Sequence, residues 1–323
     1  MTLEHLKAIY HQPFFDLLEQ ARKVHQTHWK GKPLQLCALL SIKSGGCSED
    51  CAYCAQSSRY STHVKREGLI PVEQVVSAAV RAKAAGATRL CMGAAWRGID
   101  TDDPRFLSIL EMVRRVRETG LEACITLGVL SPSAAQQLQK AGLTVYNHNL
   151  DTGEEFFPKI VSTHSFRDRL ENIRRIREAG IGLCCGGIIG MGESVDDRLS
   201  LLQTLSSMTP PPDSVPINCL IPIPGTPLEK QPPVPSFELI RLIATARIAM
   251  PQARVRLAAG RLKLSPEAQA LCFYAGANSI FHGEKLLTTN NQAPNQDIKL
   301  LQELDLLPED LLGKAENSLQ PSA

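Results

Sequence analysis

The sequence predicts an α/β fold, a (β/α)8 TIM-type barrel with an N-terminal helical extension. Three observations predict it. Eight short apolar runs have the length of buried strands, and seven amphipathic patterns of helical period lie between them. The spacing of the runs, roughly 35 residues, makes each connection long enough to hold a helix, which implies parallel pairing. Eight such units match a closed barrel better than a doubly wound open sheet, the alternative architecture.

The strand candidates, in order, are LQLCALLSI (34–42), TRLCMGAA (88–95), LEACITL (121–127), LTVYNHNL (143–150), IGLCCGGII (181–189), SVPINCLI (214–221), ARVRLAA (253–259) and NSIFHG (278–283). The helical patterns between them are PVEQVVSAAVRAKAAG, PRFLSILEMVRRVRETG, SPSAAQQLQKAG, SFRDRLENIRRIREAG, SVDDRLSLLQTLSSM, SFELIRLIATARIAM and SPEAQALCFYAG. Several open on Ser or Pro and close on Gly, as capping chemistry requires. Residues 1–33 read as the extension, placed to cap the barrel or to make a dimer contact. Residues 34–312 read as the barrel and 313–323 as a disordered tail. The proline-rich stretch IPIPGTPLEKQPPVP (221–235) is long for a strand-to-helix connection, which suggests a functional loop at the barrel mouth.

Composition excludes several roles. The 323 residues carry 35 basic and 33 acidic side chains, so no electrostatic footprint for nucleic acid or an anionic membrane is present. Aromatics at 5% are too sparse for base-stacking platforms. The first 23 residues carry charges throughout and lack the apolar run of a signal peptide, so a cytoplasmic location is expected. In that compartment ten cysteines read as metal ligands, reactive thiols or small core residues rather than disulfides.

GGCSEDCAYCAQSS (45–58) gathers Cys47, Cys51 and Cys54 in the loop after the first strand, where barrel enzymes place their chemistry. Structural zinc asks for four ligands, and only His63 is nearby as a fourth. Three thiolates around a cubane iron–sulfur cluster leave one iron free for a small molecule. Further along, barrel strands carry polar groups where Val, Ile and Leu are usual: Cys91, Cys124, Cys184, Arg256 and Asn218, with Asn147, Asn149 and Asp151 on one face of the fourth strand by period-two alternation. Unpaired buried polar groups cost about 1–3 kcal/mol each, so their convergence implies a ligand or cofactor inside.

The spacing C-x3-C-x2-C, with Tyr53 before its last cysteine, resembles the signature of radical S-adenosylmethionine enzymes. In that superfamily the open iron of a 4Fe–4S cluster chelates S-adenosylmethionine, and the reduced cluster releases a 5′-deoxyadenosyl radical. The ordered set GGCSEDCAYCAQSS, CMGAAW, YNHNLDT, CCGGIIGMGE, VPINCLIPIPGTPL, VRLAAGR, CFYAGANSIF and KLLTT resembles the biotin synthase family over about residues 32–312.

That resemblance implies two clusters. Cys47, Cys51 and Cys54 would hold the 4Fe–4S cluster, with Tyr53 near the adenine; an ordinary packed aromatic is the other reading of Tyr53. Cys91, Cys124, Cys184 and Arg256 would hold a 2Fe–2S cluster. Arg256 enters as a ligand through the resemblance alone, since a guanidinium is normally protonated and the residues by themselves predict three thiolates. Asn149 and Asp151 would bind the ribose of S-adenosylmethionine and Arg169 its carboxylate; without the resemblance, Arg169 reads as part of a solvated helix face. Asn149 and Asn218 would address the ureido ring of dethiobiotin, and Thr288 and Thr289 its carboxylate. The implied reaction is sulfur insertion into dethiobiotin to give biotin, with sulfur from the 2Fe–2S cluster. Implied partners are a second copy of the chain, a flavodoxin- or ferredoxin-type electron donor and iron–sulfur assembly machinery.

The chain also departs from the family. Cys185 follows Cys184 where relatives often carry serine, and since adjacent strand residues face opposite sides, Cys184 is expected to point inward. MGAAW stands where many radical enzymes carry a GGE-type motif. Cys37, Cys219 and Cys272 read as core residues, His148 as a satisfied strand histidine and Trp96 as packing near the mouth. The other functional readings are another radical S-adenosylmethionine barrel, either a lipoyl-synthase-like sulfur inserter, disfavoured by the scatter of the remaining cysteines, or a maturase, and a non-enzymatic iron–sulfur carrier or zinc-binding scaffold.

Overall fold

The structure is a computed structural model that describes residues 1–283 and 285–306. The expected tail, 313–323, and the last residues of the expected barrel segment lie outside the described residues. Eight parallel strands close into a barrel: β1 Gln35–Lys43, β2 Arg89–Ala94, β3 Glu122–Thr126, β4 Val145–Asn147, β5 Gly182–Cys184, β6 Ser214–Cys219, β7 Arg254–Leu257 and β8 Ser279–Phe281. Each pairs with its neighbour in chain order, and β8 returns to β1 with Gln35 opposite Ser279. The open-sheet alternative is thereby excluded.

Helices α3 Val72–Ala84, α4 Arg105–Glu118, α5 Pro132–Lys140, α6 Phe166–Glu178, α7 Val195–Ser207, α8 Ser236–Ala249 and α9 Pro266–Tyr274 fill the connections, as the sequence predicts; α1 Leu3–Tyr10 and α2 Phe14–Trp29 belong to the extension. Ser131, Ser165, Ser194 and Ser265 accept from the backbone amide three residues on, each cap holding its helix start by about 1 kcal/mol. The apolar face of α4 buries Phe106, Ile109, Leu110, Val113 and Val116 against the outside of β2 and β3, at about 1.5–3 kcal/mol for each side chain removed from water.

Three features go beyond the sequence reading. The fifth strand is interrupted after Cys184 and resumes at Gly187–Ile189 beside β6. The break contains Gly186, where a Cβ would stand 2.0 Å from the carbonyl oxygen of Pro216, so no larger residue fits. The extension is two helices, α1 Leu3–Tyr10 and α2 Phe14–Trp29, which lie along α7 and α8 on the barrel flank. Trp29, at the end of α2, donates to the Pro251 carbonyl at 2.9 Å and stacks under Arg247 and Arg254, covering the start of β7. Last comes α10, Pro294–Glu303, whose buried Asp297 accepts from Arg261 at 2.7 Å and pairs with His282 at 3.1 Å. No helix among the described residues is long and apolar enough to cross a membrane.

Candidate active site

The barrel mouth opens into a chamber of about 310 Å3. Cys47, Cys51 and Cys54 line it beside Asp151 and Arg169, while Cys91 and Arg256 line it deeper, from the middle of β2 and β7. An adjoining cavity of about 250 Å3 is lined by Asn218, Cys219, Ile221, Ile223, Thr288 and Thr289, and shares Tyr53, Asn149 and Asp151 with the first. The proline-rich loop 221–235 therefore contributes to the mouth, as its length suggests.

The cysteine loop is held by its own backbone and by a neighbour. Cys47 and Ser57 form a bridge, and the Cys54 amide donates to the Cys51 carbonyl at 2.9 Å. Asp50 fastens the loop to residues 162–163: its carboxylate accepts from both backbone amides at 3.0 and 3.2 Å and from the hydroxyls of Ser162 and Thr163. Burial would raise that carboxyl, but these hydrogen bonds outweigh it and hold Asp50 below the usual carboxylate range. Burial pushes the Cys54 thiol up to about 11 and raises Cys47 and Cys51 too, so metal binding at this loop must displace protons.

Opposite the loop, Asp151 adopts φ 68°, a left-handed conformation that Asp tolerates better than most residues. Its Oδ2 accepts from Tyr53 OH at 2.7 Å and faces Arg169 Nη2 at 2.9 Å. Arg169 is buried, so the solvated-face reading is overturned: Asp151 lies eighteen positions earlier in the chain and the fold brings it to α6. Arg169 Nε donates to His164 Nε2 at 3.0 Å, and Nη1 to the Asn149 carbonyl. Because Nε2 accepts, the His164 proton sits on Nδ1 and points at Glu49 Oε2, 2.7 Å away. Tyr53 is thus more than a packed aromatic, since its hydroxyl belongs to this network.

Asn147, Asn149 and Asp151 all line the chamber, as alternation predicts, although β4 ends at Asn147. His148 lines it as well and corrects the expectation of a satisfied histidine: its buried Nε2 has no hydrogen-bond partner. Burial, with Arg169 and His164 nearby, pushes its imidazole well below the usual range and keeps it neutral. Asn218 donates to the Gly187 carbonyl at 3.0 Å and accepts from the Ala259 amide at 3.2 Å, which leaves one N–H and one lone pair free.

At the buried end, Cys37, Cys91, Cys124 and Cys184 pack together with Val145. Register places Cys91 beside Cys124, and Cys184 Sγ lies 3.6 Å from Arg256 Nη1. Cys185 packs into the outer core instead, so Cys184 is the inward member of the pair. Cys37 departs from its reading as a plain core residue: its Sγ is 3.2 Å from Arg256 Nη2. Cys272 is core, and Cys219 lines the second cavity. Trp96 lines the chamber under a stacked Arg105. Among the described residues no group of three or more His, Cys, Asp or Glu side chains is placed to hold a single metal ion. Three cysteines of the loop and four at the buried end supply the thiolate donors that iron–sulfur clusters prefer, so the chemistry of both sets fits such clusters.

Residues 41–205 match the Radical SAM superfamily, and residues 216–307 match the Biotin and Thiamin Synthesis associated domain. A biotin synthase of Methylobacterium sp. (strain 4-46) is 57% identical over 304 residues, 94% of this chain and 91% of the relative. The chain belongs to the biotin synthase family. A second biotin synthase, from Myxococcus xanthus (strain DK1622), is 55% identical over 95% of this chain and 88% of its own. Among solved structures, methylornithine synthase superposes with a TM-score of 0.77 at 20% identity, covering 95% of this chain and 94% of its own. The FeFe-hydrogenase maturase HydG from Carboxydothermus hydrogenoformans superposes at 0.79 and 18% identity, covering 95% and 76%. At those identities the likeness is one of fold. As a member of the biotin synthase family, the chain is a radical S-adenosylmethionine enzyme.

Sequence reasoning missed three members of this site: Glu49, His164 and Cys37. Glu49 lies inside the cysteine loop and His164 just before the capping box of α6, where a charge and a histidine look like ordinary surface. The third was visible as a thiol on an inward strand position, two residues before Leu39, which pairs with Cys91.

Proposed function

We propose that the chain inserts one sulfur atom into dethiobiotin, between a methyl and a methylene carbon, to give biotin. The observation that supports this reading most directly is one chamber lined by Cys47, Cys51 and Cys54 and, deeper, by Cys91 and Arg256, with Asn147, Asn149 and Asp151 also on its wall. Cys47, Cys51 and Cys54 would hold a 4Fe–4S cluster; Cys91, Cys124 and Cys184, with Arg256 as fourth donor, a 2Fe–2S cluster. When bound, these groups and S-adenosylmethionine supply a 5′-deoxyadenosyl radical and the sulfur atom.

What remains for the side chains is placement. The C–H bonds concerned are not acidic, so no general base is needed, and orientation with exclusion of water is the protein's share. Asn149 and Asp151 take the ribose and Tyr53 lies by the adenine. Arg169 has five N–H groups; His164, Asp151 and the Asn149 carbonyl engage three, which leaves two to receive the methionine carboxylate. Asn149 and the free N–H and lone pair of Asn218 suit the ureido ring. Thr288 and Thr289, at the edge of the second cavity, suit the substrate carboxylate. A flavodoxin- or ferredoxin-type electron donor, iron–sulfur assembly machinery, a homodimer and the cytoplasm complete the proposal.

The test is a product assay. The protein is reconstituted anaerobically, supplied with dethiobiotin, S-adenosylmethionine and a reductant, and biotin and 5′-deoxyadenosine are quantified by mass spectrometry. Biotin that forms with deoxyadenosine and disappears in Cys91→Ala is expected. Deoxyadenosine without biotin, in a protein with both clusters loaded, sinks the substrate assignment.

A further inference from the structure

Cys37 occupies a position on β1 that a barrel would ordinarily fill with Val, Ile or Leu. It is fully buried, and its Sγ stands 3.2 Å from Arg256 Nη2 and 3.8 Å from Ser279 Oγ. Cys184 Sγ lies 3.6 Å from the other terminal nitrogen, Nη1. The guanidinium is therefore held between two sulfurs, one on each side of the barrel. Arg256 Nε donates to Ser279 Oγ at 2.9 Å, which fixes the plane of the group. Four thiols from β1, β2, β3 and β5 thus meet at the end of the lumen where three were expected.

Ligand chemistry ranks these donors. A protonated guanidinium has donors and no lone pair, and it must lose a proton before it can bind iron. A thiolate is the preferred ligand of iron in iron–sulfur clusters, and four thiolates are the usual complement of a 2Fe–2S cluster. A cation hydrogen-bonded to two of the sulfurs would offset the charge of such a set.

We infer that Cys37 is a fifth donor of the inner site, able to complete a four-thiolate set around an iron–sulfur cluster when Arg256 does not ligate. This rests on the reading of the inner thiols as a cluster site. Cys37 then makes the fourth position a choice between two side chains that already touch.

The full chain, reconstituted anaerobically with iron-57 and sulfide, tests it by Mössbauer spectroscopy of the wild type, Arg256→Met, Cys37→Ser and the double variant. In Arg256→Met the inner cluster is expected to persist with two equivalent irons, as four thiolates require. Adding Cys37→Ser is expected to make the irons inequivalent or to lower inner-cluster iron at least about twofold. Identical spectra for Arg256→Met and the double variant overturn the role of Cys37. So does loss of the inner cluster in Arg256→Met while Arg256→Lys retains it, since Cys37 would then be insufficient. Should Arg256→Met not fold, as judged by its circular dichroism, Arg256→Lys with and without Cys37→Ser carries the same comparison. A wild-type chain that takes up no second cluster removes the underlying reading and Cys37 with it, whereas identical variant spectra remove Cys37 alone.

Discussion

Arg169 and His164 are joined nitrogen to nitrogen: Arg169 Nε donates to His164 Nε2 at 3.0 Å, and the far side of the imidazole is anchored on Glu49 at 2.7 Å. The cysteine loop thereby sets the orientation of an arginine on α6, at a distance of 115 positions between Glu49 and His164. Replacing His164 with alanine frees Arg169 Nε and is expected to weaken S-adenosylmethionine binding about tenfold, roughly the worth of one hydrogen bond to a charged group. Equilibrium dialysis of the iron-loaded protein checks it, with His164→Gln restoring part of the loss. Unchanged affinity in His164→Ala would remove the positioning role.

Gly45 opens the cysteine loop at φ +63°, and a Cβ there would stand 2.6 Å from the Lys65 carbonyl oxygen. Both the conformation and the contact oppose any side chain. Gly45→Ala is expected to destabilise the protein by about 1–3 kcal/mol and to lower iron uptake at the outer site. Iron and sulfide per chain, measured beside the thermal midpoint, distinguish a displaced loop from a tolerated one.

Arg247 is a structural cation with no carboxylate partner among the described residues. It donates to the carbonyls of Pro251, Ala253 and Gly276 at 2.8–3.1 Å and lies against Trp29, so it ties α8 to the floor of the barrel and to the extension. Arg247→Met leaves those carbonyls without their donor, at about 1–3 kcal/mol each. A stability loss of about 3 kcal/mol or more in chemical denaturation is expected, with S-adenosylmethionine affinity of the folded fraction unchanged. A selective loss of affinity at full stability would contradict the assignment.

Acid should weaken the fold through two histidines. Burial lowers His25 from 6.5 to about 4, with Arg247 and Arg22 adding to the shift, and burial lowers His148 in the same sense. Each binds a proton more readily when unfolded, so their contribution is fully present above about pH 6.5 and is lost as pH falls toward 4. Denaturation midpoints between pH 7 and 5 are expected to fall, and His25→Gln is expected to flatten that slope. A slope identical to wild type would show that His25 does not titrate with folding.

The barrel was legible because eight apolar runs alternate with seven amphipathic patterns, four of them serine-capped, and such local signals survive without any knowledge of tertiary contacts. The two thiol groups were legible from residue type and strand phase, as Cys184 against Cys185 illustrates. The environment of Arg169 was not. A helix bearing Arg167, Arg169, Arg174, Arg175 and Arg177 looks uniformly solvated, and only the left-handed turn at Asp151 singles out one of them for burial. His148 escaped for a related reason: alternation turns it away from the chamber, but β4 ends at Asn147 and the consecutive residues Asn147, His148 and Asn149 all line it. Long-range electrostatics and the ends of strands are set by the assembled fold, and local sequence carries little of either.

The depth of the chamber also imposes a queue. Cys91 and Arg256 stand at its far end, whereas Asn149, Asp151 and Arg169 stand nearer the rim, across from the cysteine loop. Whatever occupies the rim closes the corridor behind it. On the proposed reading, iron and sulfide destined for the inner thiols would have to enter while the rim is vacant, which places loading of the inner site before occupation of the outer one and makes any refilling wait for the rim to empty.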